Sequence, residues 1–143
     1  MIRIAIANPQ KTLPVDRRLF RRAVRMILKD AGIGDAEISL AIVDDPTIQE
    51  VHRRHMGMDD PTDVISFVLD RDGQRLEGEV VASADTAQSR CSQYGLSPAD
   101  ELLLYVIHGT LHLVGYDDCN RRARATMRAK ERYYLDLART ERR

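Results

Sequence analysis

Ser97-Pro98-Ala99-Asp100-Glu101-Leu102-Leu103-Leu104-Tyr105-Val106-Ile107-His108-Gly109-Thr110-Leu111-His112-Leu113-Val114-Gly115-Tyr116-Asp117-Asp118 is the stretch on which the fold turns. Ser97 followed by Pro98 and acids in the next turn is a helix start, with proline where no backbone N–H is needed. From Leu102 to Val114 the segment is apolar nearly all round, and a helix of that kind belongs in the middle of its domain. Gly115 ends it. His108 and His112 stand four residues apart on one face, about 6 Å apart at Cβ, so both imidazoles can converge on one ion. A carboxylate returning after the Gly115 turn would complete a three-ligand set with an open position, the form a catalytic metal site takes. Gly109 stands where zinc proteases carry a glutamate general base, which argues against that mechanism.

Outward from this helix the chain alternates strand and helix patterns. Ile2, Ile4 and Ile6 alternate with Arg3, Ala5 and Ala7 as a half-buried strand. Asp16 caps a helix with Leu19, Phe20, Ala23, Val24, Ile27 and Leu28 as its apolar stripe, closed by Gly32. Glu37 to Val43 reads as a buried strand, and a short helix from about Pro46 carries Ile48 and Val51. Val64 to Leu69 and Gly78 to Ser83 read as a hairpin about the turn Asp70-Arg71-Asp72-Gly73. Residues 85–94 look helical, and a last amphipathic helix runs from about Asn120 to Thr140. Four strands and about five helices predict one α+β domain over residues 1–143, a mixed sheet covered by helices with the histidines on a buried central helix.

A chain of 143 residues can bury a core of its own without staples. Its two cysteines, Cys91 and Cys119, make no disulfide framework; a place near a helix start would lower the pKa of Cys119, although a spectator role is the simpler account. No apolar run approaches a membrane span and the start alternates as a strand, so the expected setting is cytoplasmic, with no membrane partner. The zero net charge hides a division. Residues 1–30 carry 8 Lys+Arg against 2 Asp+Glu, residues 31–118 carry 5 against 17, and residues 119–143 carry 9 against 3. Arginine dominates the basic ends and suits phosphate recognition, although a solvated helix face is the simplest account of such runs. With no tryptophan and few aromatics, stacking platforms are not evident.

His108-Gly109-Thr110-Leu111-His112-Leu113-Val114-Gly115-Tyr116-Asp117 resembles the HGxLHLxGYDH signature of the YbeY rRNA-maturation endoribonucleases. Pro61-Thr62-Asp63-Val64-Ile65-Ser66-Phe67 and Gly78-Glu79-Val80-Val81 resemble two further blocks of that family, in its order and spacing. The resemblance implies a metal-dependent endoribonuclease of single-stranded RNA, acting in 3′-end maturation of small-subunit rRNA and in ribosome quality control. It implies one divalent ion, zinc first, held by His108, His112 and Asp118, which would also be the catalytic set. The partners implied are rRNA, the small ribosomal subunit, a small-subunit ribosomal protein and a ribosome-assembly GTPase. The alternatives are a non-catalytic, metal-stabilised ribosome-assembly factor and a metal-dependent hydrolase of another substrate.

Two positions depart from the family pattern. Asp118 replaces the third histidine, a two-His, one-carboxylate set that suits zinc and other divalent metals; Asp117 beside it reads as a turn or supporting residue. Met56 replaces the arginine of a stretch that usually reads LNxxYRG, and methionine cannot grip a phosphate. Arg53, Arg54 and His55 are the neighbouring candidates for that substrate contact, with Ser66 from the strand edge that the family places near the cleft. Thr62 and Asp63 lie on the same edge, where capping would explain them equally well.

Overall fold

The computed structural model describes residues 1–141; residues 142–143 of the expected domain lie outside them. The elements are β1 (Ile2–Ala7), α1 (Arg17–Asp30), β2 (Asp35–Val43), α2 (Asp45–Met56), β3 (Val64–Asp72), β4 (Arg75–Ser83), α3 (Ala84–Arg90), a 3-10 turn (Cys91–Tyr94), α4 (Pro98–Leu113) and α5 (Arg121–Glu141). The capping residues act as the sequence implies. Asp16 accepts from Leu19 N at 3.1 Å, and Ser97 accepts from Asp100 N at 3.1 Å.

The sheet runs β1-β2-β4-β3. β2 pairs in parallel with both β1 (Ile4 opposite Ile38) and β4 (Leu40 opposite Val80), whereas β3 is antiparallel to β4. Each parallel pair needs a crossover, and α1 supplies the first. The sheet is mixed, as expected. β2 differs from its reading as a fully buried strand, because Ala36, Ile38, Leu40 and Ile42 are buried while Glu37 and Ser39 on the other face meet solvent. One face carries the main core under α1, α3, α4 and α5; the other carries a small cluster of Val43, Ile48, Ile65 and Val81 under α2.

The hairpin strands run further than the hydrophobic pattern shows. β3 continues to Asp72 and β4 resumes at Arg75 across Gly73 (φ +59°), with a register shift between Val68 and Asp70. Residues 68–74 are exposed, so no buried face recorded their pairing in the sequence.

Helix α4 is central, packed on α1, α3, α5, β3 and β4. Leu102, Leu103, Val106, Ile107 and Leu111 are fully buried. Its last turns lie close on the sheet because Gly109 has no side chain. A Cβ there would stand 2.6 Å from Val80 Cγ1 and 3.2 Å from Val64 Cγ2. At Gly78 a Cβ would likewise meet both Leu113 methyls at 2.9 Å. Glycine at these two sites sets how deep the histidine-bearing turns sit.

Candidate metal centre and cleft

His108 and His112 leave the last turns of α4 together, with their Nε2 atoms 3.1 Å apart. The chain turns at Gly115, where φ is +110°, a region that favours glycine, and returns Asp118 to the pair. Asp118 Oδ2 lies 3.9 Å from His108 Nε2, and Oδ1 lies 3.9 Å from His112 Nε2. One donor atom from each residue falls within 4.8 Å of the others. Ligands at roughly 2.0–2.2 Å from a tetrahedral ion sit about 3.4 Å from one another, so the spacing matches such an ion after small rotations.

The donor chemistry fits as well as the spacing. Glu131 Oε2 lies 2.9 Å from His108 Nδ1. A carboxylate accepts, so Nδ1 carries hydrogen and Nε2 is the atom turned towards His112, the usual arrangement for a metal-bound imidazole. Burial is the largest influence on His108 and lowers its pKa, but the hydrogen bond to Glu131 and the charges of Glu131, Asp118 and Asp63 together hold it above its ordinary value. Two imidazole nitrogens at 3.1 Å beside two carboxylates call for a shared proton or a cation.

The site opens into a cleft of about 440 Å³ between α4, β3 and α2, lined by His52, Met56, Thr62, Val64, Ile65, Ser66, Val68, His108, His112 and Leu113. Ser66 lines it as expected, yet its hydroxyl donates to Gly109 O at 3.0 Å, which ties β3 to the histidine helix. Thr62 reaches the cleft. Asp63 instead accepts from Val64 N at 2.8 Å, as a strand-end cap. On α2 the helical period separates His52 and Met56, which face the cleft, from the three residues between them. Arg53 binds Glu50 through two nitrogens, at 2.6 and 3.1 Å, and Arg54 reaches the same carboxylate at 3.3 Å. His55 is exposed, its ring 5.1 Å from Phe67. None of these three lines the cleft, and no arginine among the described residues does.

Two further side chains belong to the site. The sequence reading misses Glu131 among the charges of α5, although a pattern points to it: it falls in the stripe of Met127, Tyr134, Leu135 and Ala138, which are buried. His52, 8% exposed, sets its Nδ1 2.9 Å from Asp60 O. A carbonyl accepts, so Nδ1 carries hydrogen, with Asp60 Oδ1 also 3.6 Å away; Nε2 has no partner among the described residues and is not among the occluded unpaired atoms. His52 thus brings an unpaired ring nitrogen to the wall of the cleft. Asp117 is a turn residue, accepting from Cys119 N at 3.3 Å and Cys119 Sγ at 3.1 Å. That contact pushes the Cys119 thiol pKa up, the opposite of the lowering expected near a helix start, and the cap of α5 is Asn120, whose Oδ1 accepts from Ala123 N. Arg124 Nη1 donates to Asp118 O at 3.4 Å. No described helix is long and apolar enough to cross a membrane.

Comparison with known proteins gives the family and the fold. Residues 5–139 match the family model described as Endoribonuclease YbeY. The chain is similar to the Endoribonuclease YbeY of Moorella thermoacetica, 36% identical over 92% of this chain and 94% of that one, and to that of Geobacter sulfurreducens, 37% identical over 95% of each. The solution structure of TM1509 from Thermotoga maritima superposes with a TM-score of 0.67 at 28% identity, covering 99% of this chain and 91% of that one.

Proposed function

This chain belongs to the YbeY endoribonuclease family, and on that premise we propose that it hydrolyses phosphodiester bonds of single-stranded RNA with one divalent ion, zinc first, held by His108, His112 and Asp118. The carrying observation is the convergence of those three donors at the end of an open cleft, with Glu131 fixing the tautomer of His108. A divalent ion held there supplies Lewis-acid stabilisation of charge on a phosphodiester oxygen and makes water more acidic.

The protein's own groups prepare the substrate. Gly109 and the Ser66 hydrogen bond hold both imidazoles at fixed depth. Val64, Ile65, Val68 and Leu113 give the cleft apolar walls against which a base can rest while its backbone faces the histidines. His52 Nε2 offers an acceptor to a ribose or base N–H or O–H. Asp118, Glu131 and Asp63 make the centre acidic, so phosphate approaches only when a cation offsets them. Within RNA, the resemblance of the signature blocks supports the 3′ end of small-subunit rRNA as substrate, and with it the small ribosomal subunit, one of its proteins and an assembly GTPase as partners.

The test is cleavage of unstructured RNA by zinc-repleted protein beside His112→Ala, with elemental analysis of both. About one ion per wild-type chain, and cleavage lost with His112, is expected. Wild-type protein without stoichiometric metal, or Asp118→Ala with unchanged metal content, would overturn the ligand set; RNA bound and never cut would leave a non-catalytic assembly factor.

A further inference from the structure

The metal centre leaves the basic face of α1 unexplained. Arg18, Arg21, Arg22, Arg25 and Lys29 line one surface groove of about 440 Å³, with Met26 as its only uncharged lining residue. Positions 18, 22, 25 and 29 form a single stripe over roughly 16 Å of helix. This arrangement works against the helix. Like charges four residues apart repel, and cations in a first turn oppose the helix dipole, which favours the acids that α1 lacks there. Arg21 donates to Ile4 O at 3.1 Å, but Arg18, Arg25 and Lys29 have no hydrogen bond or ion pair among the described residues.

The stripe lies outside the cleft, with which it shares no lining residue. Arg17 and Arg21 reach carbonyls of β1, the outer strand at the opposite sheet edge from β3, which bears Ser66. Three strand spacings, about 14 Å, separate those edges. A cavity of about 280 Å³ is lined by Asp30, which follows Lys29, and by Tyr116, two residues from Asp118.

We propose that the α1 stripe is an exosite that grips the sugar–phosphate backbone of single-stranded RNA outside the cleft. The inference rests on the RNA reading above and adds where affinity comes from, since no arginine among the described residues lines the cleft. Guanidinium groups pair bidentately with phosphate, and backbone contacts of this kind dominate nucleic-acid affinity. A membrane fits less well. The apolar stripe of α1 (Leu19, Phe20, Ala23, Val24, Ile27, Leu28) is buried in the core, and none of the exposed large hydrophobic residues lies on this helix, so the partly buried Met26 alone is too little apolar surface to enter acyl chains.

The test combines Arg18→Gln, Arg25→Gln and Lys29→Gln. In the non-cleaving His112→Ala background, binding of a long labelled unstructured RNA is followed against salt. Weaker binding is expected, with the log–log salt slope shallower by roughly 2, at about 0.7 for each phosphate of a single strand that the variant no longer neutralises. In cleaving protein the triple variant raises KM for the long strand, with kcat unchanged and with kcat/KM unchanged on an oligomer of a few nucleotides. Thermal stability equal to or above that of the parent separates this from misfolding. An unchanged slope, or equal losses on long and short strands, overturns the exosite, as does wild-type protein binding phosphatidylserine vesicles more tightly than RNA through the same three residues. Failure of cleavage with the slope change intact would sink the catalytic reading alone; cleavage with an unaltered slope would sink only the exosite.

Discussion

Glu131 Oε2 stands 2.9 Å from His108 Nδ1, so a residue of α5 decides which nitrogen of an α4 histidine faces the cleft. The contact joins residues 23 apart, and the Glu131 side chain is only 16% exposed. Supporting carboxylates of this type orient the ring and raise its basicity, and their loss typically costs 10–100-fold in metal affinity or activity. Glu131→Ala should weaken zinc binding by about that factor in chelator competition, with the fold retained by circular dichroism. Wild-type affinity in the variant would show that His108 is oriented by other means.

Gly109→Ala forces a methyl group towards Val80 Cγ1 (2.6 Å), Ser66 Oγ (3.0 Å) and Val64 Cγ2 (3.2 Å). Such overpacking typically costs about 1–3 kcal/mol. The loss should appear in urea unfolding, together with reduced zinc content as the last turns of α4 lift from the sheet. Full stability with full metal loading would refute the close approach as the device that sets the depth of the histidines.

Met56 faces the cleft from the same side of α2 as His52 and is half exposed. Met56→Arg places a guanidinium on the cleft wall and should raise kcat/KM for RNA by about tenfold or more by meeting developing phosphate charge. Arg53→Ala and Arg54→Ala, which break exposed pairs with Glu50, should change kcat/KM by no more than about twofold, as expected for weak surface contacts. A larger loss in either single variant than in Asp118→Ala would relocate the phosphate contact to the face of α2 that looks away from the cleft.

Glu101 is 2% exposed, and its Oε1 has no partner among the described residues. Burial, the largest influence, raises its pKa above the ordinary 4.5, while the Tyr105 hydroxyl acts in the opposite direction. Because the folded pKa is above the unfolded one, the stabilisation is fully present below the unfolded pKa and is lost as pH rises through the folded value. Over that window the slope reaches at most about 1.4 kcal/mol per pH unit. Glu101→Gln removes the titrating group, so its urea-unfolding stability should fall less with rising pH than that of the parent. Parallel pH profiles would show Glu101 ionising as freely in the folded protein as in the unfolded chain.

Residue order alone was enough for the elements whose signals are local. The Ser97 cap and the all-round apolar run made α4 a buried helix, the i, i+4 spacing put His108 and His112 on one face, and Gly115 marked the turn that returns a carboxylate, while the choice of Asp118 over Asp117 came from the family resemblance. These depend on dihedral preferences and on periods of two and 3.6 residues, which are written in consecutive residues. It took the packed chain to place β4 between β2 and β3, to bring Glu131 under His108, and to face His52 and Met56 into the cleft while Arg53, Arg54 and His55 turn elsewhere. Packing also ties β3 to α4 through Ser66 and Gly109, and brings Arg17 and Arg21 of α1 to the carbonyls of β1. Those relations come from how packed elements cross and which edges meet, contacts between residues far apart in the chain whose identity no local period records.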